Sequence, residues 1–307
     1  MGHILTLACV FIMLFFLGMT IMRVGLYQLS YEKMKRLLAT FTKNPILGIL
    51  MGIVTTSILQ SSSLVMVLTI GFVSVGLLTF KQSLGIMLGA NIGTTVTGEI
   101  LAFSHLIPEW YLLIFGFLCM IMPNQKWFSA GTIMFGLGTI FVALQGFESL
   151  AKSFSDLTYL ENGFIYTNEH PTFGVVIGII VSAIIQSSSA TIGMTMSFLN
   201  QGMVSLTASI AIVLGANVGT CVTSLLAIIG LNKETKLVAM AHAWFNIIGV
   251  LLFLPLLFLL TDTATLLSVH VKEQLAHISV LFNCVTVLLM IPFLTPFEKF
   301  ILKWHGK

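Results

Sequence analysis

Long apolar blocks, broken by glycines, prolines and short polar clusters, run along this chain. Read for helix-length runs, they predict a first helix at 4–26, followed by a basic polar stretch up to residue 44. An interrupted segment at 45–80 comes next, then another apolar segment at 83–106. Helices at 108–122 and 127–149 lead to 150–170, the most polar stretch of the chain, which reads as an exposed external loop. The second half predicts an interrupted segment at 171–204, a segment at 206–230, helices at 236–261 and 274–293, and a tail at 297–307.

The segment at 45–80 carries Gln60-Ser61-Ser62-Ser63 in its middle. Each apolar arm is about 15 residues, or roughly 22 Å as helix. That falls short of a hydrocarbon core of about 30 Å. Two short arms around a polar tip predict a re-entrant hairpin. Such backbone is tolerated at membrane depth only where it is buried in protein or lines a wet cavity.

The chain repeats itself at an offset of 126. Pro45 matches Pro171, Gly48 and Gly52 match Gly174 and Gly178, and Gln60–Ser63 match Gln186–Ser189. Gly76 matches Gly202, and the run from Gly89 to Thr97 matches Gly215 to Thr223. About 22 of the 53 positions from Pro45 to Thr97 are identical without a gap, a self-similarity that marks an internal repeat. Three crossings separate the two hairpins, so the second copy is predicted to sit upside down. Inverted repeats with interrupted helices at the midplane are transporter architecture. The expected fold is an all-α membrane protein of two such repeats, at 45–149 and 171–296, each with a hairpin and a discontinuous transmembrane helix.

Composition agrees. The chain is 57% apolar and 8% charged, with mean hydropathy +1.04, where soluble proteins carry about 25% charged residues. An ordinary cytosolic enzyme and a disordered chain are excluded. The net charge of +3 gives nucleic acid no footprint. The chain also lacks the short alternating segments of an outer-membrane barrel. Cys9, Cys119, Cys221 and Cys284 all lie in apolar segments and read as packing residues.

Taking both interrupted segments as hairpins leaves seven crossings. With the N-terminus outside, Arg23, Lys33, Lys35, Arg36, Lys43, Lys81, Lys126, Lys233, Lys236, Lys299, Lys303 and Lys307 fall on the cytoplasmic side, and only Lys152 and Lys272 outside. This split obeys the positive-inside rule and predicts a cytoplasmic C-terminus. Glu148, Asp156, Glu161 and Glu169 then mark the outer loop. A segment that crossed twice would leave the parity unchanged, so charge sets orientation without testing re-entrance.

The candidate chemistry sits at the tips. Each second arm begins just after the serines of Gln60, Ser61, Ser62, Ser63 or of Gln186, Ser187, Ser188, Ser189. Its free N–H groups and positive dipole end suit an anion, and the oxygens of Gln60, Ser63, Gln186 and Ser189 suit Na⁺. Serines in membrane helices often only pack or bond back to their own backbone. Two QSSS runs at matching positions weigh against that reading. Gly89, Gly93, Gly215 and Gly219 predict local unwinding, with freed carbonyls and Asn91, Thr94, Thr95, Asn217 and Thr220 as further Na⁺ ligands. The same glycines also spell GxxxG helix packing.

Glu99 is an acid within an apolar stretch and a candidate for cation binding or coupling. Asn246 and Asn283 are further coupling candidates, beside His242 and His277. The histidines read as proton relays or, more simply, as helix–helix hydrogen bonds. No catalytic Ser–His–Asp set, HExxH, GxGxxG or Walker lysine occurs, so an enzyme is not expected. Nor is an arginine clamp for phosphate evident. The residues alone leave phosphate, sulfate, dicarboxylates and a re-entrant ion channel open.

The doubled QSSS, each followed by GANxGT, resembles the type II sodium–phosphate cotransporter family. The similarity extends to AHxxFN around His242 and AHxxxLFN around His277, and covers about 45–296. It implies a Na⁺-coupled importer of inorganic phosphate in the plasma membrane, working by alternating access. It implies that the tips Gln60–Ser63 and Gln186–Ser189 hold substrate and Na⁺, with Na⁺ the only metal, no cofactor, and phosphate, Na⁺ and the bilayer as partners. The short stretch at 150–170 lacks the cysteines of animal members. No phosphate-regulator-like domain follows the membrane part, so the chain looks like a minimal bacterial member.

Overall fold

The apolar blocks fold as helices throughout. The computed structural model describes residues 2–39, 45–155 and 158–306, and no strand occurs among them. In chain order the helices are α1 (Gly2–Ala39), α2 (Pro45–Leu59), α3 (Ser62–Ser74), α4 (Phe80–Ala102) and α5 (Glu109–Ile121). They continue with α6 (Gln125–Ser155), α7 (Thr158–Glu169), α8 (Phe173–Ile185), α9 (Ser188–Asn200) and α10 (Leu206–Gly219). The last are α11 (Cys221–Ala227), α12 (Lys233–Phe253), α13 (Leu257–Leu267), α14 (Val271–Met290) and α15 (Leu294–His305). Lys43, Asp156 and Lys307, and the side chains of Lys33, Lys35, Arg36 and Lys152, lie outside the described residues.

Six stretches among the described residues are long and apolar enough to cross a bilayer: 2–30, 80–105, 125–151, 206–227, 233–267 and 271–305. The chain is a multi-pass helical membrane protein. The arms α2, α3, α8 and α9, and also α5, have 13 to 15 residues. At 1.5 Å per residue they reach only about 20–22 Å.

The 126-residue offset holds in the secondary structure. α3 and α9 begin at 62 and 188, and α4 and α10 at 80 and 206. Gly76 and Gly202 end the second arms with φ of 75° and 73°, a conformation that glycine adopts without a Cβ clash. Leu77 N and Met203 N then donate back to Phe72 O and Phe198 O, at 2.9 and 3.0 Å. Thr79 caps α4 in a capping box with Gln82, and Ser205 caps α10.

Three expectations change. The stretch at 150–170 is no irregular loop, because α6 runs on to Ser155 and α7 occupies 158–169. α1 runs well beyond the predicted 4–26. The predicted discontinuity is absent from α4, which is helical straight through Gly89 and Gly93. In the second copy α10 and α11 are separated only by Thr220, whose own dihedrals remain helical.

Packing explains why the glycine segments stay wound. Between helices in lipid there is little hydrophobic drive, so close backbone approach matters more. A Cβ on Gly89 would run into Ile49 O of α2, and one on Gly52 into Ile86 O of α4. In the second copy Gly215 and Gly178 meet Val175 O and Ile212 O in the same way. The GxxxG glycines therefore seat α2 on α4 and α8 on α10.

α1 packs on α6 through Gly18 and Gly136, and Phe15, Met19, Ile140 and Leu144 fill the core around them. The tail at 297–307 is largely helix, and Phe297 and Ile301 of α15 are buried against α12. Lys81 pairs with Glu298 at 3.6 Å, and Lys272 with Glu148 at 2.6 Å.

Candidate functional site

Both QSSS runs are helix breaks of the same shape. Gln60 and Gln186 are the only non-glycine residues with positive φ among the described residues, at 50° and 55°. The left-handed conformation costs an ordinary side chain roughly 1–2 kcal/mol. Strain of this kind persists where surrounding structure over-determines it, and it clusters at functional sites. One residue on, Ser61 and Ser187 are extended and accept from Leu64 N and Ala190 N, both at 3.2 Å. They cap α3 and α9, leaving other first-turn N–H groups of each helix without intrahelical partners.

The two breaks meet. Ser61–Ser63, Ser187–Ser189, Gln60 and Gln186 line one small polar cavity of about 80 Å³, together with Phe16 and Arg23 of α1. The volume suits a small polyatomic ion with some water, far below the roughly 300 Å³ of a drug-sized ligand site. The positive ends of two helices converge there.

Arg23 corrects the sequence reading. By sequence position it reads as a cytoplasmic topology charge, with no arginine clamp for an anion evident. Its Nη2 donates to Gln60 O at 2.9 Å, and its Nε is buried without a partner. A cation with an unused buried donor thus faces eight polar tip residues. The signal in the sequence was an arginine inside the apolar run, eight or more residues before the next charge of α1.

The two glutamines differ in surroundings. Gln60 is 2% exposed, accepts from Thr97 Oγ1 at 2.8 Å and donates to Ser57 O. Gln186 is exposed, and the repeat mate of Thr97, Thr223, has a buried hydroxyl with no partner.

The remaining candidates sit deeper in helices. Asn91 Nδ2 donates to Met87 O, Thr94 Oγ1 to Ala90 O and Thr95 Oγ1 to Ile92 O, as an intact helix allows. The freed carbonyls expected at 89–97 do not occur, because that helix never unwinds. Thr220 bonds Ser182 at 2.8 Å across to α8, whereas Asn217 Nδ2 is buried without a partner.

Glu99 and His277 meet at 2.9 Å, joining α4 to α14. In sequence they are separate candidates, 178 positions apart. His242 is buried and bonds Ser224 at 3.0 Å, and Asn246 Nδ2 donates to His242 O and Cys221 Sγ. Asn283 Nδ2 donates to Ser279 O. The bonds of His242 and Asn246 reach α11, whereas that of Asn283 stays within α14.

Residues 14–149 and 158–289 match the family model described as Na⁺/Pi-cotransporter. An uncharacterized protein of Bacillus subtilis, YqeW, is 40% identical over 94% of this chain and 95% of its own length. The putative inorganic phosphate export protein YjbB of Escherichia coli is 28% identical over 92% of this chain and 52% of its own length. The human sodium-dependent phosphate transport protein 2B is 27% identical over 41% of this chain and 20% of its own length. No solved structure matches the chain.

Proposed function

Because the chain belongs to the Na⁺/Pi-cotransporter family, which comprises transporters and not enzymes, we propose that it carries inorganic phosphate across the cell membrane in symport with Na⁺. The observation that carries this reading is the convergence of two identically strained QSSS breaks and Arg23 on one cavity.

Phosphate sits between the tips. Ser61–Ser63 and Ser187–Ser189 donate hydroxyl hydrogens, the free N–H groups of α3 and α9 donate from the backbone, and Arg23 supplies fixed positive charge. Charge-assisted bonds of this kind are roughly twice as strong as neutral ones. Na⁺ takes the oxygens of Gln60, Ser63, Gln186 and Ser189, with Asn217 and Thr220 as second-copy ligands. Its charge offsets part of the anion's and draws the tips together. Asn91, Thr94 and Thr95 spend their side-chain donors on carbonyls of α4 and keep oxygen lone pairs, so they are the first-copy Na⁺ ligands of this reading.

In this reading α2–α3 and α8–α9 are re-entrant hairpins of inverted repeats, with the N-terminus outside and the C-terminus cytoplasmic. The docked Gln60 and undocked Gln186 are the two ends of an alternating cycle. The inward Na⁺ gradient drives phosphate inward. A relative is named for phosphate export, so direction is read directly in the test.

The test is radiolabelled phosphate flux in proteoliposomes of the purified chain. An inward Na⁺ gradient accelerates uptake in this reading, K⁺ in its place does not, and unlabelled sulfate competes poorly. Phosphate flux indifferent to Na⁺, or only outward, overturns symport or import respectively. No phosphate flux under any gradient overturns the assignment.

A further inference from the structure

A cluster outside the transport cavity holds three metal-ligating side chains. α4 ends in a 3₁₀ turn at Phe103–His105, and the turn before α14 ends at His270. His105 Nε2 lies 3.5 Å from Glu273 Oε1, and the His105 and His270 rings are 4.7 Å apart centroid to centroid. One ligand atom from each of His105, His270 and Glu273 falls within 4.8 Å of the other two. In sequence the two histidines are 165 positions apart, so no motif announced them.

The surroundings orient these groups. His105 Nδ1 donates to Ala102 O at 3.2 Å, so in the neutral ring the Nε2 facing Glu273 is the nitrogen free to ligate. Glu273 Oε2 accepts from Ser268 Oγ at 2.6 Å, which leaves Oε1 facing His105. Ser268 Oγ also accepts from His270 N at 3.1 Å, and Gln274 Nε2 donates to Ser268 O at 2.8 Å. The turn bearing His270 is thus tied to the first turn of α14. Such outer bonds commonly orient metal ligands. The neighbouring cation, Lys272, is occupied by Glu148 at 2.6 Å.

A surface ion pair would need only one imidazole and contributes little. Two imidazoles and a carboxylate form a zinc-type donor set, with a water in the fourth position. Tetrahedral zinc spaces its donors about 3.3 Å apart, given bonds of about 2.0–2.1 Å. The His105–Glu273 pair already has that spacing, and His270, exposed on its turn, has room to close the remainder.

We propose that His105, His270 and Glu273 bind a divalent transition-metal ion of the zinc class, which ties the end of α4 to the start of α14. α4 carries Thr97 and Glu99, and His277 lies one turn beyond Glu273. A bound ion therefore clamps the two helices that the Glu99–His277 pair also joins.

The experiment uses the full chain purified in detergent and stripped with a chelator. Zinc chloride is titrated at pH 7.5 against a chromophoric zinc chelator, and thermal unfolding is followed with and without zinc. The expected result is one zinc per chain, weakened at least about tenfold in His105→Ala, His270→Ala and Glu273→Gln, with His170→Ala unchanged. Zinc also raises the unfolding midpoint of the wild type and not of the double histidine variant. His105→Gln with His270→Gln provides a second pair that preserves side-chain volume. Absence of stoichiometric binding, or equal binding by wild type and a folded double variant, overturns the proposal.

Discussion

Thr97 Oγ1 donates to Gln60 Oε1 over 2.8 Å, whereas Thr223 at the same place in the second copy has a buried hydroxyl with no partner. Two copies that share sequence, cap and backbone strain thus differ in one side-chain dock. Thr97→Val leaves the oxygen of buried Gln60 without its donor and is expected to lower stability by about 1–3 kcal/mol. Thr223→Val removes an unsatisfied hydroxyl and is expected to leave the melting temperature unchanged or raised. Both variants lower phosphate uptake if the docks alternate. Equal melting losses in the two, or full uptake by Thr223→Val, would contradict this.

The strained glutamines provide a second contrast. Glycine at either position relieves a left-handed conformation worth roughly 1–2 kcal/mol. Gln186 is exposed, so Gln186→Gly is expected to stabilise the protein. Gln60→Gly also loses the bonds to Thr97 and Ser57, so it is expected to destabilise. Thermal unfolding of both variants distinguishes strain from packing.

Arg23 is expected to be needed as a guanidinium. Arg23→Gln removes the fixed charge and lowers uptake at low phosphate by more than about tenfold, the worth of one charge-assisted bond. Arg23→Lys keeps the charge but not the planar fork, and recovers only part of the rate. Uptake of Arg23→Gln at the wild-type rate would remove the arginine from the anion site.

Gly89→Ala places a methyl against Ile49 O and is expected to cost more than about 1–3 kcal/mol, since backbone yields less than side chains. Gly71→Ala, on the open face of α3, meets nothing within 4 Å and is expected to melt at or above the wild-type temperature. Unfolding midpoints decide whether the GxxxG glycines are packing elements.

Glu99 and His277 should act as one unit. Glu99→Gln and His277→Gln are each expected to reduce Na⁺-stimulated uptake, and the double variant to lose little more than either. Additive losses would mean that the 2.9 Å contact carries no coupling.

Much of this protein is legible along the chain because it is local. Apolar run length predicts membrane helices, the offset of 126 predicts matched elements, and a Gln-Ser-Ser-Ser interruption between short arms predicts a break. Each depends on residues a few positions apart. Tertiary structure alone decided the rest. Arg23 looks like a flanking charge because a cytoplasmic end was expected near residue 26. α1 instead spans 38 residues, about 57 Å, so Arg23 lies within it beside Gln60. The run from Gly89 to Thr97 is compatible with unwinding or tight packing, and the backbone of α2 against Gly89 selects packing. Glu99 with His277, and His105 with His270 and Glu273, meet only because α4 lies beside α14. A sequence carries each side chain's chemistry, but which distant groups share a site depends on helix packing, which no single segment encodes.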